Sequence, residues 1–351
     1  MSPQFVDFNG DGHLDIVAGI FDGSPHVALG DGKSWRQPTS ILDKNGQRIV
    51  LNAFWNFDSK KWDSTERCDP VGGRPTKNGA PAEGHLTSAI AMDVDRDGDY
   101  DLVLGDHRSG FVYLRRNEGS NQKPQFAERN EVVMANGEPM EDTGTVATIR
   151  AVDWNSDGLL DLMVSGMGDP YGKNVGGGVA VYLNTGPQSD KKASFGRAIS
   201  LIPPSQKGAK GKPNRPDTGL HPAAVDFDGD GDLDLLVGGY SMWTPADKKL
   251  TPEQKVEVKK LKAGIAEAAA AQKSIMDKIN KATEGLGQDE RAKKLKEQFA
   301  GVTDKINALN KQRRDLSKRL NVLAPRDQRV SFTWLYENLS KSAANDAAGQ
   351  R

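Results

Sequence analysis

The sequence predicts an all-β chain, a β-propeller of four recognisable acidic-loop blades, into which an antiparallel α-helical coiled-coil hairpin is inserted. Three observations lead there. One nine-residue acidic pattern occurs four times. Each copy is flanked by apolar stretches of strand length. One Lys- and Ala-rich segment breaks that rhythm with steps of three and four. Composition agrees: the chain has 351 residues, 36% hydrophobic and 27% charged, with 38 glycines for tight turns. No apolar run approaches the roughly 20 residues of a membrane span.

The copies read Asp7-Phe-Asn-Gly-Asp-Gly-His-Leu-Asp15, Asp93-Val-Asp-Arg-Asp-Gly-Asp-Tyr-Asp101, Asp153-Trp-Asn-Ser-Asp-Gly-Leu-Leu-Asp161 and Asp226-Phe-Asp-Gly-Asp-Gly-Asp-Leu-Asp234. Their starts lie 86, 60 and 73 residues apart. A short apolar strand precedes each, as in 89–92, 148–152 and 223–225. A second follows directly, such as Leu102-Val103-Leu104, and an alternating third at 110–119, 178–186 and 330–338. A weaker fourth follows in some units, near 125–133. A unit of strand, acidic turn and three more strands, at this period, suits propeller blades. The long first interval has room for a fifth, degenerate blade.

Positions 1, 3, 5 and 9 of the pattern carry oxygen side chains. These are Asp7, Asn9, Asp11 and Asp15; Asp93, Asp95, Asp97 and Asp101; Asp153, Asn155, Asp157 and Asp161; and Asp226, Asp228, Asp230 and Asp234. Position 6 is always Gly, which permits a sharp turn. Position 7 is expected to offer its backbone carbonyl, so its side chain varies: His13, Asp99, Leu159, Asp232. Position 8 is apolar (Leu14, Tyr100, Leu160, Leu233) and is expected to plug the loop onto the core. Carboxylates this close repel one another unless a cation sits between them. Oxygen-only ligands at this spacing suit calcium. The helix-loop-helix calcium site needs Glu at position 12, where this chain has Ala18, Leu104, Val164 and Val237. Solvated acidic turns without metal are the bland alternative, and fourfold recurrence weighs against it. Up to four structural Ca2+ ions are expected. Residues 251–323 carry 17 Lys and Arg against 10 Asp and Glu, so the rest of this −1 chain holds −8, which four divalent ions would neutralise. The second and fourth loops offer four carboxylates at these positions, and the first and third three, so tighter binding is expected at the former.

These loops resemble the FG-GAP or VCBS repeats of integrin α-subunit propellers and bacterial surface proteins. The resemblance rests on Asp-x-[Asp/Asn]-x-Asp-Gly-x-x-Asp followed by Leu-x-Val-x-Gly, over residues 1–245 and 325–340. It implies a structural ion at each blade hairpin, held by the sets named above. Seven blades are usual in that family, whereas four motifs occur here, so ring closure stays open.

Residues 252–323 are rich in strong helix formers. Val258, Leu261, Ile265, Ala268, Gln272, Ile275 and Ile279 step by three and four. The steps resume after Gly285-Leu-Gly287 at Ala292, Leu295, Phe299, Val302, Ile306, Leu309, Arg313, Leu316 and Leu320. Thr251-Pro252-Glu253 is a helix start. Two helices around a glycine turn predict an antiparallel hairpin, a candidate for self-association. The expected organisation is blades over 1–250, hairpin over 251–323, a final propeller strand over 324–340 and a disordered tail over 341–351.

No nucleophile, zinc-protease or phosphate-loop signature occurs, and the five histidines are scattered. Cys68, the single cysteine, excludes an intramolecular disulfide and reads as a small buried hydrophobe. The aromatic stretch Asn52 to Trp62 is a candidate ligand platform through Trp55 and Trp62, joined by Trp35 and Trp243. The leading function is a non-enzymatic, extracellular binding or adhesion module for glycan or protein. The alternatives are a polysaccharide lyase or hydrolase using carboxylates such as Asp58, Asp63, Glu66 and Asp69, or a scaffold dimerising through its hairpin. Nucleic acid is not expected, because the basic charges mix with acidic ones and lack stacking aromatics. Site chemistry favours a secreted, periplasmic or cell-surface location. No leader is visible at Met1 to Val6, so either the chain is cytoplasmic or its leader lies outside it.

Overall fold

Each acidic motif is the loop of an antiparallel hairpin. In the computed structural model, β1 (Gln4–Val6), β7 (Leu86–Met92), β13 (Thr148–Val152) and β19 (Thr218–Val225) enter the four loops. The ninth aspartate of each loop opens the next strand: β2 (Asp15–Gly19), β8 (Asp101–Asp106), β14 (Asp161–Ser165) and β20 (Asp234–Trp243). That aspartate faces the last residue of the entering strand, as in Val6 opposite Asp15 and Met92 opposite Asp101. The structure describes residues 3–69, 84–140, 145–168, 176–187, 193–205, 213–243, 249–325 and 328–338. The expected tail at 341–351 lies outside them.

Further strands complete meanders. With β3 (Pro25–Ala28) and β4 (Thr39–Ser40) the first sheet runs β1-β2-β3-β4. With β9 (Val112–Arg115) and β10 (Glu131–Val132) the second runs β10-β9-β8-β7. The third joins β15 (Val179–Tyr182) and β18 (Ile199–Ile202) as β13-β14-β15-β18. The fourth is three-stranded, β19-β20-β21, with β21 (Gln328–Tyr336) arriving after the helical segment. Two additions were not expected. Between the first two repeats lies a two-stranded ribbon, β5 (Ala53–Asn56) with β6 (Lys61–Ser64), where a degenerate blade had room. A fourth four-stranded sheet is woven from two repeats: β11 (Met134–Ala135) and β12 (Glu138–Pro139) join β16 (Asn184–Pro187) and β17 (Ala193–Phe195).

Period-two alternation explains the stacking. On β7 and β8, Ala89, Ala91, Leu102 and Leu104 face a core shared with the first sheet through Val17 and Val27. Their neighbours Ile90, Met92 and Val103 face a core shared with Ile149, Leu162 and Val164 of the third. Met163 and Val179 pack against Leu235 and Val237 of the fourth. A strand buried on both faces reads as an unbroken apolar run, hence Ala89-Ile-Ala-Met92. The Gln4 side chain adds a polar tie, donating to the Ala91 carbonyl at 2.9 Å and accepting its N–H at 2.7 Å. The molecule is thus β-rich, and no closed ring is detected among the described residues.

Residues 243–328 form a second compact unit. It holds α1 (Pro252–Ala282), α2 (Gln288–Ala300) and α3 (Thr303–Leu323). Thr251 and Gln254 form a reciprocal cap, with Thr251 Oγ1 accepting the Gln254 N–H and Gln254 Oε1 accepting the Thr251 N–H. Three helices replace the expected two, because Gly301 interrupts the second arm and Thr303 Oγ1 bonds the Phe299 carbonyl at 2.6 Å. The α1–α3 contacts run in opposite order along the two helices: Glu257 with Arg319, the Gly264 position against Leu316, Gln272 with Arg313. Gln272 and Arg313, the two polar members of the apolar steps, meet at 2.7 Å. No helix of the structure is long and apolar enough to cross a membrane.

Candidate metal centres

The backbone wraps each loop in the same way. Position 6 has φ of +88°, +96°, +85° and +87° at Gly12, Gly98, Gly158 and Gly231. Position 4 is also left-handed, at Gly10, Arg96, Ser156 and Gly229. N–H groups therefore point inward to the side chains. Gly12, Gly98, Gly158 and Gly231 each donate to the first aspartate of their loop, at 2.9 to 3.1 Å.

The ninth aspartate is a staple. Its Oδ1 accepts the N–H of the residue at the end of the third strand: Gly30, Asn117, Asn184 and Asn338, at 2.7 to 2.8 Å. Three of those partners are asparagines, and Asn184 and Asn338 also donate to the carbonyls of Leu160 and Leu233. The sequence signal was present, since Asn closes the third strand in three units. In the first, third and fourth loops, Oδ2 accepts the N–H of Phe8, Trp154 and Phe227.

The loops then divide. In the first and third, the asparagine at position 3 donates to the carboxylate at position 5: Asn9 to Asp11 at 2.9 Å and Asn155 to Asp157 at 2.8 Å. The Asn9 bond, with the His13 N–H, holds Asp11 below the usual carboxylate range. In the second and fourth, aspartate stands at position 3 and cannot donate. There the carboxylates of Asp93, Asp95 and Asp97, and of Asp226, Asp228 and Asp230, converge within 4.8 Å. Buried oxygens remain without a hydrogen-bond partner: Asp93 Oδ1, Asp101 Oδ2 and Asp230 Oδ2. Asp101 is 2% exposed, and burial pushes it up to about 7. Burial and the charges of Asp97, Asp95 and Asp93 push Asp99 up to about 6. One cation is supplied from within: Arg116 pairs with Asp95 at 3.0 Å and with Glu131 at 2.9 Å. This oxygen-only donor set, with orphaned buried acceptors, fits a hard divalent cation.

The position-8 expectation is corrected at the first and third loops, whereas Tyr100 of the second packs against the core as expected. Leu14 is 57% and Leu160 42% exposed. Their role lies in the backbone, where the Leu14 carbonyl accepts the Trp35 indole N–H at 2.9 Å. Position 2 plugs the core, through Phe8 and Val94 in the first two loops. The position-7 residues divide likewise: Asp99 and Asp232 are buried, and His13 is exposed.

The tryptophans separate. Trp55 and Trp62 face each other across the ribbon at 5.9 Å. Trp62 packs against Phe21 at 5.7 Å and over His85 at 4.7 Å, and His85 stacks on His107 at 4.5 Å. Arg48 anchors the ribbon, pairing with Asp22 at 2.8 Å, donating to the Trp55 carbonyl and lying over Phe54 and Phe57. Trp35 instead packs edge-on against Phe5, and Trp243 ends β20 in the second unit. Of the carboxylates named for catalysis, Asp63 accepts from Asn56 and Asp69 pairs with Arg129. Cys68 is buried, as expected.

Models of one family, the FG-GAP-like repeat, match residues 93–164 and 153–237. Residues 93–237 are FG-GAP-like repeats. Each matched FG-GAP-like repeat starts at one acidic loop and ends in the strand following the next, so the loop-to-loop interval is the repeating element. The first loop and the helical unit lie outside the matched residues. No curated protein and no solved structure matches the chain.

Proposed function

We propose that this chain, with its FG-GAP-like repeats, is a calcium-stabilised, non-enzymatic binding module of the cell exterior. Its sheets are read as blades of a propeller. Calcium would be held by Asp93, Asp95, Asp97 and Asp101 in the second loop and by Asp226, Asp228, Asp230 and Asp234 in the fourth. Asp7, Asn9, Asp11 and Asp15, and Asp153, Asn155, Asp157 and Asp161, would hold it more weakly. The carbonyls of His13, Asp99, Leu159 and Asp232 complete the sets. The ion supplies charge neutralisation alone and fixes each hairpin. The observation that carries this reading is the set of buried, unpartnered carboxylate oxygens in the second and fourth loops. Free calcium outside cells is high enough to fill modest sites, which favours a secreted, periplasmic or surface location.

The ligand surface is read at the ribbon, where Phe21 is 68% and Trp62 44% exposed. Exposed aromatic rings suit the apolar faces of sugars or a protein partner. Calorimetry of Asp93→Ala, Asp226→Ala, Asp7→Ala and Asp153→Ala tests the metal assignment. The two four-carboxylate loops should lose the tighter calcium-binding events, and the reverse order would contradict it.

A further inference from the structure

We infer that the helical unit carries a second binding surface, a groove along α3 that takes an acidic polysaccharide. The site belongs to the helical unit, and does not rest on the function proposed for the acidic loops and the ribbon.

The groove encloses about 640 Å³. Arg313, Arg314 and Lys318 line it, with the amides of Asn310, Asn321 and Gln328. The α3 members stand at steps of three and four, so they form one stripe. Asp304 and Asp315, the acids of α3, are not among its lining residues. Arg313 is fixed at the wall by its bond to Gln272 Oε1, while Arg314 and Lys318 are exposed.

Two features of this lining choose the ligand. Among the described lining residues the cations have no carboxylate beside them, which calls for an anion, and the guanidinium forks suit planar carboxylate or sulfate groups. Neutral amides and the Ser317 hydroxyl between the cations suit ligand hydroxyls. Repeated acidic groups interspersed with hydroxyls describe an anionic sugar chain. A single nucleic-acid strand calls for stacking rings, and the described lining residues include none. A membrane surface calls for an apolar fringe, and Ile265 is the one apolar residue among the described lining residues.

The test is calorimetry of the full chain in calcium with oligogalacturonate (carboxylate) and dextran sulfate (sulfate), beside neutral dextran, poly-glutamate, poly-dT and phosphatidylglycerol vesicles. One or both acidic sugars should bind, more weakly at higher salt. Arg314→Glu and Lys318→Glu should each weaken that binding by about tenfold or more, as loss of a charge-assisted bond does. Lys293→Glu, the same charge change on exposed α2, should stay within about twofold. Arg314→Gln serves if the reversal disturbs folding, judged by circular dichroism. Equal losses in all three reversals would reduce the groove to diffuse charge. Absent sugar binding, or tighter binding of poly-glutamate, poly-dT or vesicles, would overturn the assignment.

Discussion

The unpartnered oxygen of Asp101 concentrates the electrostatic problem of the second loop. Oδ1 is satisfied by the Asn117 N–H, while Oδ2 is buried with nothing to accept from. An unsatisfied buried acceptor costs about 1–3 kcal/mol, more when charged. Asp101→Asn should therefore raise the melting temperature in chelator and lower it in calcium, a crossing that two calorimetric scans would detect. A drop in both conditions would make Asp101 a packing residue alone. Arg116 is the competing cation. Arg116→Gln should free Asp95, tighten calcium at the second loop several-fold, by about 1 kcal/mol, and destabilise the chelated protein. The ligand positions were legible because oxygen side chains and Gly recur at fixed steps. The plugging position was misjudged at the first and third loops, since positions 2 and 8 are both apolar in all four copies. Which of them points inward depends on the left-handed turns at positions 4 and 6, and those at position 4 are visible only in part, from Gly10 and Gly229.

At the scale of elements, the ribbon is held by a ring stack and an ion pair. Burial, then the neighbouring His107, lowers His85 to about 4 from its usual 6.5, and burial lowers His107 as well. A depressed imidazole gives stability that is complete above the unfolded value. The unfolded chain takes up its proton near 6.5. Stability therefore falls as pH drops from there toward 4. Trp62 lies on His85, so tryptophan fluorescence should report the loss, and His85→Phe should flatten the profile over that window. An unchanged profile would remove the stack from the account. Sequence reading marked the aromatic stretch but left it a loop. Its pairing across Asn56 and Lys61 has a polar turn and no alternating pattern to reveal it. In the helical unit, the periodic steps were legible down to the polar pair Gln272 and Arg313. Gly301 sat inside the periodicity without signalling that it would break the arm.

At the scale of the molecule, successive sheets share cores through alternate residues of one strand, so each sheet depends on its neighbour for burial. The repeat period made the antiparallel repeat sheet legible. The woven sheet of β11, β12, β16 and β17 was not, because two- and three-residue strands from separate repeats carry no periodic signal. The acidic loops fasten the first hairpin of each of the four repeat sheets, so ions there should stabilise those sheets together. The most direct measurement is a calorimetric calcium titration of the metal-freed chain, with melting scans before and after. The account predicts saturable uptake of up to four ions, the tighter events assigned to the second and fourth loops, and a rise in melting temperature that chelator reverses. Absent uptake, or identical melting with and without chelator, would contradict it.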